Sequence, residues 1–227
     1  MQNTTAITVL LADDHPSTLD GIRNMLDRTP DIEIIGEAED GAETRSMLEA
    51  LRPRVLLLDL QMQNFAPVAF ANWAREISPQ TVILVFTYHR RVNYLAQMMA
   101  AGAAGYLYKD IEAQHLIEFI RRAADGEDLF SREQLLAARQ WQKTIGDKIK
   151  RLTRQELEIV KWLMKGKSNQ AIAVALAISE KTVAAHLTNI FAKLQTKDRF
   201  ETMLWGIDNL SDNIELYLGF NLEDLLG

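Results

Sequence analysis

Short apolar runs alternate with amphipathic segments along the first 125 residues of the chain. Apolar residues dominate residues 7–12, 32–35, 55–58, 82–86 and 104–108, which predicts five short strands. Between the runs apolar residues recur at helical spacing, as at Leu19, Ile22 and Leu26. Parallel strands need crossover connections, so this alternation predicts an α/β fold with a doubly wound, five-stranded parallel sheet.

The pattern changes after residue 125. Residues 126–147 predict a connection that holds a helix, since Ser131 and Gln134 have capping-box spacing. This helix is expected to run to about Trp141, with hinges near Gly126 and Gly146.

Residues 148–210 predict only helices, four in number. Thr153 and Glu156 form a second capping-box pattern, and Ser168 and Ser179 can cap the next two helices. The third helix carries one apolar stripe, which consists of Val183, Leu187, Ile190, Phe191 and Leu194. The fourth is expected from about Phe200 to Leu210. Close spacing of the second and third helices is typical of a helix-turn-helix that reads DNA.

Charge divides the chain in the same place. The whole protein has a formal net charge of -6, yet residues 148–199 contain 11 Lys and Arg against 4 Asp and Glu. A basic segment in an acidic chain indicates a nucleic-acid module, although an ordinary basic helical surface is the alternative. Residues 211–227 are acidic and rich in leucine, which predicts a tail that folds back or packs across a dimer; a disordered tail is the alternative.

Composition excludes several classes of protein. The chain has no cysteine, which excludes disulfides and thiolate metal sites. Apolar runs fall short of the roughly 20 residues that span a bilayer, and the N-terminus lacks a signal-peptide pattern. The expected location is therefore the cytoplasm, without a membrane partner.

Polar residues stand where the predicted strands end. Asp13 and Asp14, Asp59, Thr87 and Lys109 each follow a run, and parallel strands bring such residues to one sheet edge. A carboxylate there can act as a nucleophile on phosphorus, and Asp59 is the candidate. The adjacent pair Asp13 and Asp14 favours Mg²⁺, because close carboxylates repel unless a cation joins them. Lys109 and Thr87 can bind phosphoryl oxygens. Any one of these residues alone is more often a turn, cap or surface residue. Their combination at the ends of the strands favours a phosphoryl-transfer site.

The segments around these residues resemble the receiver domain of two-component response regulators. The similarity lies in residues 11–15, 58–60, 86–87 and 105–110 and extends from residue 7 to about 125. It implies a flavodoxin-like fold in which Asp59 accepts phosphate from a sensor histidine kinase. It also implies Mg²⁺ held by Asp14, Asp59 and the backbone carbonyl of Gln61, with Asp13 acting through water. Thr87 and Tyr106 are the implied switch residues.

The chain departs from the receiver pattern at two positions. Gln63 stands where receivers usually have proline, which predicts a less constrained loop after Asp59. Tyr88 stands where receivers usually have a small residue, and a phenol there predicts restricted access to the phosphoryl site.

Residues 152–156, 167–173 and 178–187 resemble the LuxR-type helix-turn-helix of the NarL group, over about residues 150–207. The resemblance implies a four-helix domain whose third helix enters the major groove and whose fourth forms a dimer. Helical projection places Lys181, Ala185, Thr188 and Ala192 on the open side, with Ala184 at its border. The predicted DNA-binding residues are Lys181, Thr182, Ala184, Ala185, Thr188, Lys193, Lys197 and Arg199.

The predicted organisation is a receiver domain at 1–125, a helical linker at 126–147, a DNA-binding domain at 148–210 and an extension at 211–227. The predicted function is phosphorylation-controlled transcription regulation by a homodimer that binds double-stranded DNA, with RNA polymerase as a further candidate partner. A receiver that is never phosphorylated, and acts through constitutive DNA or partner binding, is the alternative. An enzyme on the same scaffold is disfavoured because no substrate-pocket motif is present, so the only expected chemistry is at the aspartate.

Overall fold

The computed structural model describes residues 6–63 and 65–210, so the predictions for the 211–227 tail lie outside the described residues. The chain divides into two compact units between Leu136 and Ala137, within the segment predicted as a connection.

The first unit is built on a five-stranded parallel sheet, as the strand-like runs predict. Its strands are β1 Ile7–Ala12, β2 Ile32–Ala38, β3 Val55–Leu58, β4 Val82–Thr87 and β5 Gly105–Tyr108. Their order is β2-β1-β3-β4-β5, the flavodoxin-like order, with β5 at one edge. Ala12 pairs with Leu58, and Leu58 pairs with Val85, so the carboxyl ends of the central strands lie level. The predicted fold class is confirmed.

Five helices cover the two faces of this sheet. Their bounds are α1 Pro16–Leu26, α2 Gly41–Leu51, α3 Pro67–Ile77, α4 Val92–Ala100 and α5 Ala113–Ala124. On one face α1 buries Leu19, Ile22 and Leu26, and α5 buries Leu116 and Ile120, in one cluster with alternate strand residues. Helices α2, α3 and α4 bury Leu48, Phe70 and Met98. Burial on both faces explains why the strands are continuous apolar runs.

The connection is more helical than its sequence predicts. Helix α6 spans Arg132–Trp141, a π-helical turn spans Gln142–Gly146, and α7 spans Asp147–Lys150. Gly126 adopts the left-handed conformation of a turn, with φ +83°. Gly146 has helical angles of φ -56° and ψ -42° and lies inside the wider turn, so the helix continues through the position where a hinge was predicted.

The second unit contains α8 Arg154–Met164, α9 Asn169–Ala175, α10 Glu180–Leu194 and α11 Arg199–Asn209. The predicted capping box is present, since Thr153 Oγ1 accepts from Glu156 N and a Glu156 carboxylate oxygen accepts from Thr153 N. Gly206 lets α11 approach α8 closely, because a Cβ there would lie 2.8 Å from Met164 Cγ. The chain direction turns by 106° between α9 and α10, within the range of a helix-turn-helix.

No single helix among residues 6–63 and 65–210 is long and apolar enough to cross a membrane; only α9 and α10 together, sharply bent, pass that test.

Candidate functional site

The sheet delivers the predicted polar residues to one edge by extending its hydrogen bonding past the strands. Asp13 N donates to Ala38 O, Asp59 N donates to Ala12 O, and Lys109 N donates to Thr87 O, at 3.0, 2.8 and 3.1 Å. Asp13, Asp59 and Thr87 are all buried. The backbone therefore fixes the origin of each side chain before any ligand binds.

Lys109 joins two of the carboxylates. Its Nζ lies 2.6 Å from Asp13 Oδ2 and 2.6 Å from Asp59 Oδ2, and only 2% of its side chain is exposed. The other oxygen of Asp59 accepts a hydrogen bond of 2.7 Å from Leu60 N. The ammonium thus lies at the carboxylate that is the candidate nucleophile, where it can also neutralise phosphoryl oxygens.

The remaining carboxylate leaves room for a cation. Asp14 Oδ1 is buried and makes no hydrogen bond, and its near neighbour is His15 Nδ1 at 2.7 Å, an ion pair when the imidazole is protonated. Burial raises the pKa of Asp13, although the Lys109 ammonium opposes the rise. One ammonium does not balance three carboxylates. The residues present therefore fit a divalent cation, which oxygen ligands of this kind prefer.

His15 belongs to this group, and sequence reasoning gave it no role. Ligand atoms of Asp13, Asp14, His15 and Asp59 lie within 4.8 Å of one another. Its backbone N also donates to Asp13 Oδ1 at 3.0 Å, which orients that carboxylate. The available signal was its position directly after the two aspartates. Gln61, the implied carbonyl ligand, is exposed on the loop after Asp59.

The predicted switch residues meet at His89. The buried Thr87 Oγ1 accepts a hydrogen bond of 3.2 Å from His89 N, and Tyr106 Oη donates to His89 O at 2.9 Å. Tyr106 is 1% exposed, and burial, with the neighbouring Tyr108, raises the pKa of its phenol. A displacement of Thr87 can therefore reach Tyr106 through one intervening residue.

Tyr88 stands at the mouth of the site. The residue is 65% exposed, and its ring centroid lies 5.5 Å from Lys109 Nζ, within cation–π range. The ring therefore lies beside the ammonium that contacts Asp59.

Helix α10 presents the predicted DNA-reading face. Val183, Leu187, Ile190 and Leu194 are buried, as their spacing predicts. The opposite side is exposed and includes Lys181, Thr182, Ala184, Ala185 and Thr188. Thr188 Oγ1 donates to Ala184 O at 3.2 Å, so its lone pairs remain available as acceptors.

The structure corrects the prediction for Lys193. Its Nζ contacts both carboxylate oxygens of Glu156, at 2.6 and 2.8 Å, which makes it an internal link between α10 and α8. Lys197 and Arg199 are exposed, and Arg199 Nη2 also donates to Lys167 O at 2.6 Å. Asn189 is an exposed amide that sequence reasoning missed, although its spacing four residues after Ala185 places it on the same face.

Comparison with known proteins separates the same two units. Residues 9–121 match the model for the response regulator receiver domain, and residues 150–205 match the model for bacterial regulatory proteins of the luxR family.

Relatives extend the similarity over nearly the whole chain. The nitrate/nitrite response regulator protein NarL of Escherichia coli K12 is 34% identical over 209 residues, covering 90% of this chain and 97% of that protein. The response regulator protein VraR of Staphylococcus aureus is 32% identical over 203 residues, covering 89% and 97%. In fold, the chain is similar to a structure of RcsB from Salmonella enterica bound to a promoter with a phosphomimetic. That structure gives a TM-score of 0.55 at 23% identity and covers 88% of this chain and 98% of its own.

Proposed function

This chain belongs to the DNA-binding response regulators that join a receiver domain to a luxR-family domain, and we propose that Asp59 is its phosphoacceptor and α10 its DNA-reading helix. The family consists of DNA-binding transcription regulators rather than enzymes in the ordinary sense. The observation that supports the first assignment is the buried contact between Asp59 Oδ2 and Lys109 Nζ.

The chemistry at Asp59 is a transfer from a phosphohistidine of a sensor kinase. An oxygen of the Asp59 carboxylate attacks phosphorus, the new O–P bond forms, and the P–N bond breaks with its electron pair left on the imidazole nitrogen. Lys109 and the Thr87 hydroxyl offset the charge on the phosphoryl oxygens. Hydrolysis of the acyl phosphate by water returns the free carboxylate.

Asp14, Asp59 and the Gln61 carbonyl are the proposed ligands of Mg²⁺, with Asp13 acting through water. When bound, the ion supplies positive charge for the transferred phosphoryl group. The buried oxygen of Asp14 without a hydrogen bond supports this assignment.

The second unit is proposed to bind double-stranded DNA through the major groove. Lys181, Lys197 and Arg199 are placed for phosphates, and Thr182, Ala184, Ala185 and Thr188 for base edges. We also propose a homodimer in the cytoplasm, in which phosphorylation of Asp59 controls dimerisation. Helix α11 supports the dimer, because Phe200, Leu204 and Ile207 form an exposed apolar stripe. RNA polymerase contact remains a proposal from the family resemblance.

A substitution at Asp59 tests the acceptor directly. Incubation with a small acyl phosphate and Mg²⁺ should add one phosphoryl mass to the wild-type chain and none to Asp59→Asn, which is nearly isosteric. Asp27→Asn, at an exposed aspartate, is the matched control and should be modified like the wild type. Full incorporation in Asp59→Asn would refute the assignment. An unmodified wild type would favour the alternative of a receiver that acts without phosphorylation.

A further inference from the structure

The chain returns along the open edge of the sheet after α5. Strand β5 is an edge strand, and Leu129 N donates to Ala104 O at 2.6 Å beside it. Leu129 is buried there, and Gly105 leaves little room for a side chain, since a Cβ would lie 3.0 Å from Leu84 Cδ2 and 3.2 Å from Leu129 Cβ. The segment that leads into α6 is therefore packed directly on the switch strand.

Gln134 binds this strand and caps α6 with the same amide group. Its Oε1 accepts from Ser131 N at 2.9 Å, which completes the predicted capping box, while its Nε2 donates to Tyr106 O at 2.7 Å. Ser131 Oγ accepts from Gln134 N at 3.1 Å. Because one planar amide makes both bonds, a shift of the Tyr106 carbonyl also strains the first turn of α6.

Tyr106 is thus held at both ends of the residue. Its hydroxyl donates to His89 O, whose backbone N donates to Thr87 Oγ1, and its carbonyl accepts from Gln134. A continuous series of hydrogen bonds leads from Thr87, next to the phosphoacceptor site, to the start of α6. Helix α6 then carries the chain past Leu136, where the first compact unit ends.

We propose that Gln134 is the positioning residue that couples the Thr87–Tyr106 switch to the linker helix. This inference rests on the proposed phosphorylation of Asp59. Gln134 is not among the residues assigned to the phosphoryl site or to DNA, and its link to the switch is the hydrogen bond to the Tyr106 carbonyl. Its loss should therefore change how far phosphorylation alters DNA binding while leaving phosphorylation itself intact.

Gln134→Glu isolates the bond to Tyr106. The glutamate keeps an acceptor for Ser131 N and hence the capping box, but it offers no donor to the Tyr106 carbonyl. Ser131→Ala is the matched control, because it removes the other half of the cap and leaves the Gln134 donor in place. Full-length wild type and both variants are phosphorylated with a small acyl phosphate and Mg²⁺, and incorporation is measured by mass.

The main readout is the ratio of DNA dissociation constants without and with phosphorylation, on one duplex at fixed salt. Gln134→Glu should reduce this ratio about fivefold, the scale of one lost hydrogen bond, at wild-type incorporation. Amide hydrogen exchange in residues 131–136 should respond to phosphorylation in the wild type and in Ser131→Ala, but not in Gln134→Glu.

Two outcomes would overturn the inference. The first is a Gln134→Glu variant whose ratio of DNA dissociation constants and whose hydrogen-exchange response to phosphorylation both equal those of the wild type. The second is a Ser131→Ala variant whose ratio falls as much as that of Gln134→Glu, which would assign the effect to the helix cap. If the fully phosphorylated wild-type chain binds DNA with the same dissociation constant as the unphosphorylated chain, the proposed control of DNA binding is overturned, and the coupling with it.

Discussion

At the residue scale, the polar end of the sheet is organised around the buried ammonium of Lys109. Buried ion pairs add little net stability, because desolvation offsets the attraction between the charges. The arrangement with Asp13 and Asp59 is therefore better explained by chemistry than by folding. It keeps a cation at the carboxylate proposed to receive the phosphoryl group, and it leaves Asp14 with an oxygen for the proposed metal ion.

Tyr88 should slow both the transfer of a phosphoryl group to Asp59 and its removal by hydrolysis. Its ring lies 5.5 Å from Lys109 Nζ, which itself contacts Asp59 Oδ2, so we expect the ring to obstruct donors and water that approach Asp59. Tyr88→Ala should speed both phosphorylation by a small donor and hydrolysis of the acyl phosphate severalfold. Phosphoryl mass followed over time measures both rates.

Tyr88→Phe is the control for the ring, since it keeps the aromatic face and removes only the hydroxyl. It should retain wild-type rates. Unchanged rates in Tyr88→Ala would show that the ring does not obstruct the site.

At the element scale, α8 and α10 are fastened by Glu156 and Lys193. Glu156 is almost fully buried, and its carboxylate also caps α8 through Thr153 N. Burial raises the pKa of Glu156, but the Lys193 ammonium and the Thr153 hydrogen bonds outweigh it, so the net pKa is lowered. The pair therefore holds α10, the proposed DNA-reading helix, against α8.

This lowered pKa predicts a pH dependence of folding in the second unit. A carboxylate whose pKa is depressed by folding stabilises the protein above its ordinary value of 4.5, and this contribution is lost as the pH falls below it. Chemical unfolding of a Trp73→Phe chain can report this unit, because Trp141, Trp162 and Trp205 all lie within it.

Glu156→Gln in that background should lower the unfolding free energy by about 1–3 kcal/mol at neutral pH and flatten its fall below pH 4.5. Glu158→Gln on the same helix is the matched control and should retain the wild-type dependence of the unfolding free energy on pH. An unaltered slope in Glu156→Gln would contradict the role assigned to the pair.

The two lysines of α10 should behave differently toward DNA. Lys181 is exposed on the reading face, so Lys181→Ala should weaken binding to all sequences and reduce the salt slope by about one unit. Lys193→Ala should leave the salt slope unchanged, because its ammonium binds Glu156. Dissociation constants measured across salt concentrations distinguish the two, and an intact slope in Lys181→Ala would exclude the phosphate contact.

Elements and site residues were predictable to different extents. The five strands and the buried stripe of α10 follow from local periodicity, so sequence located them to within a few residues. The pairing of Lys193 with Glu156 joins residues 37 positions apart, and no local pattern specifies it. The helical conformation of Gly146 could not be predicted from the local sequence either, since a glycine normally indicates a break in a helix.

At the scale of the whole molecule, signal input and DNA binding lie in different compact units. Asp59 lies before the division at Leu136 and Ala137, and Lys181 lies after it. The charge pattern of the sequence already indicated this division, because the basic segment falls entirely in the second unit. Control of DNA binding by phosphorylation must therefore pass from the first unit to the second.

Association should depend on the exposed stripe of α11. Phe200, Leu204 and Ile207 are 62%, 44% and 37% exposed and recur at helical spacing, so a second copy of the helix can bury them together. Leu204→Asp should shift the phosphorylated chain toward monomer in sedimentation and weaken binding to DNA with two half-sites more than to DNA with one. Val174→Asp, at an exposed valine on α9, adds the same charge outside the stripe and should sediment like the wild type. Equal dimerisation of Leu204→Asp and the wild type would place the dimer contact on another surface.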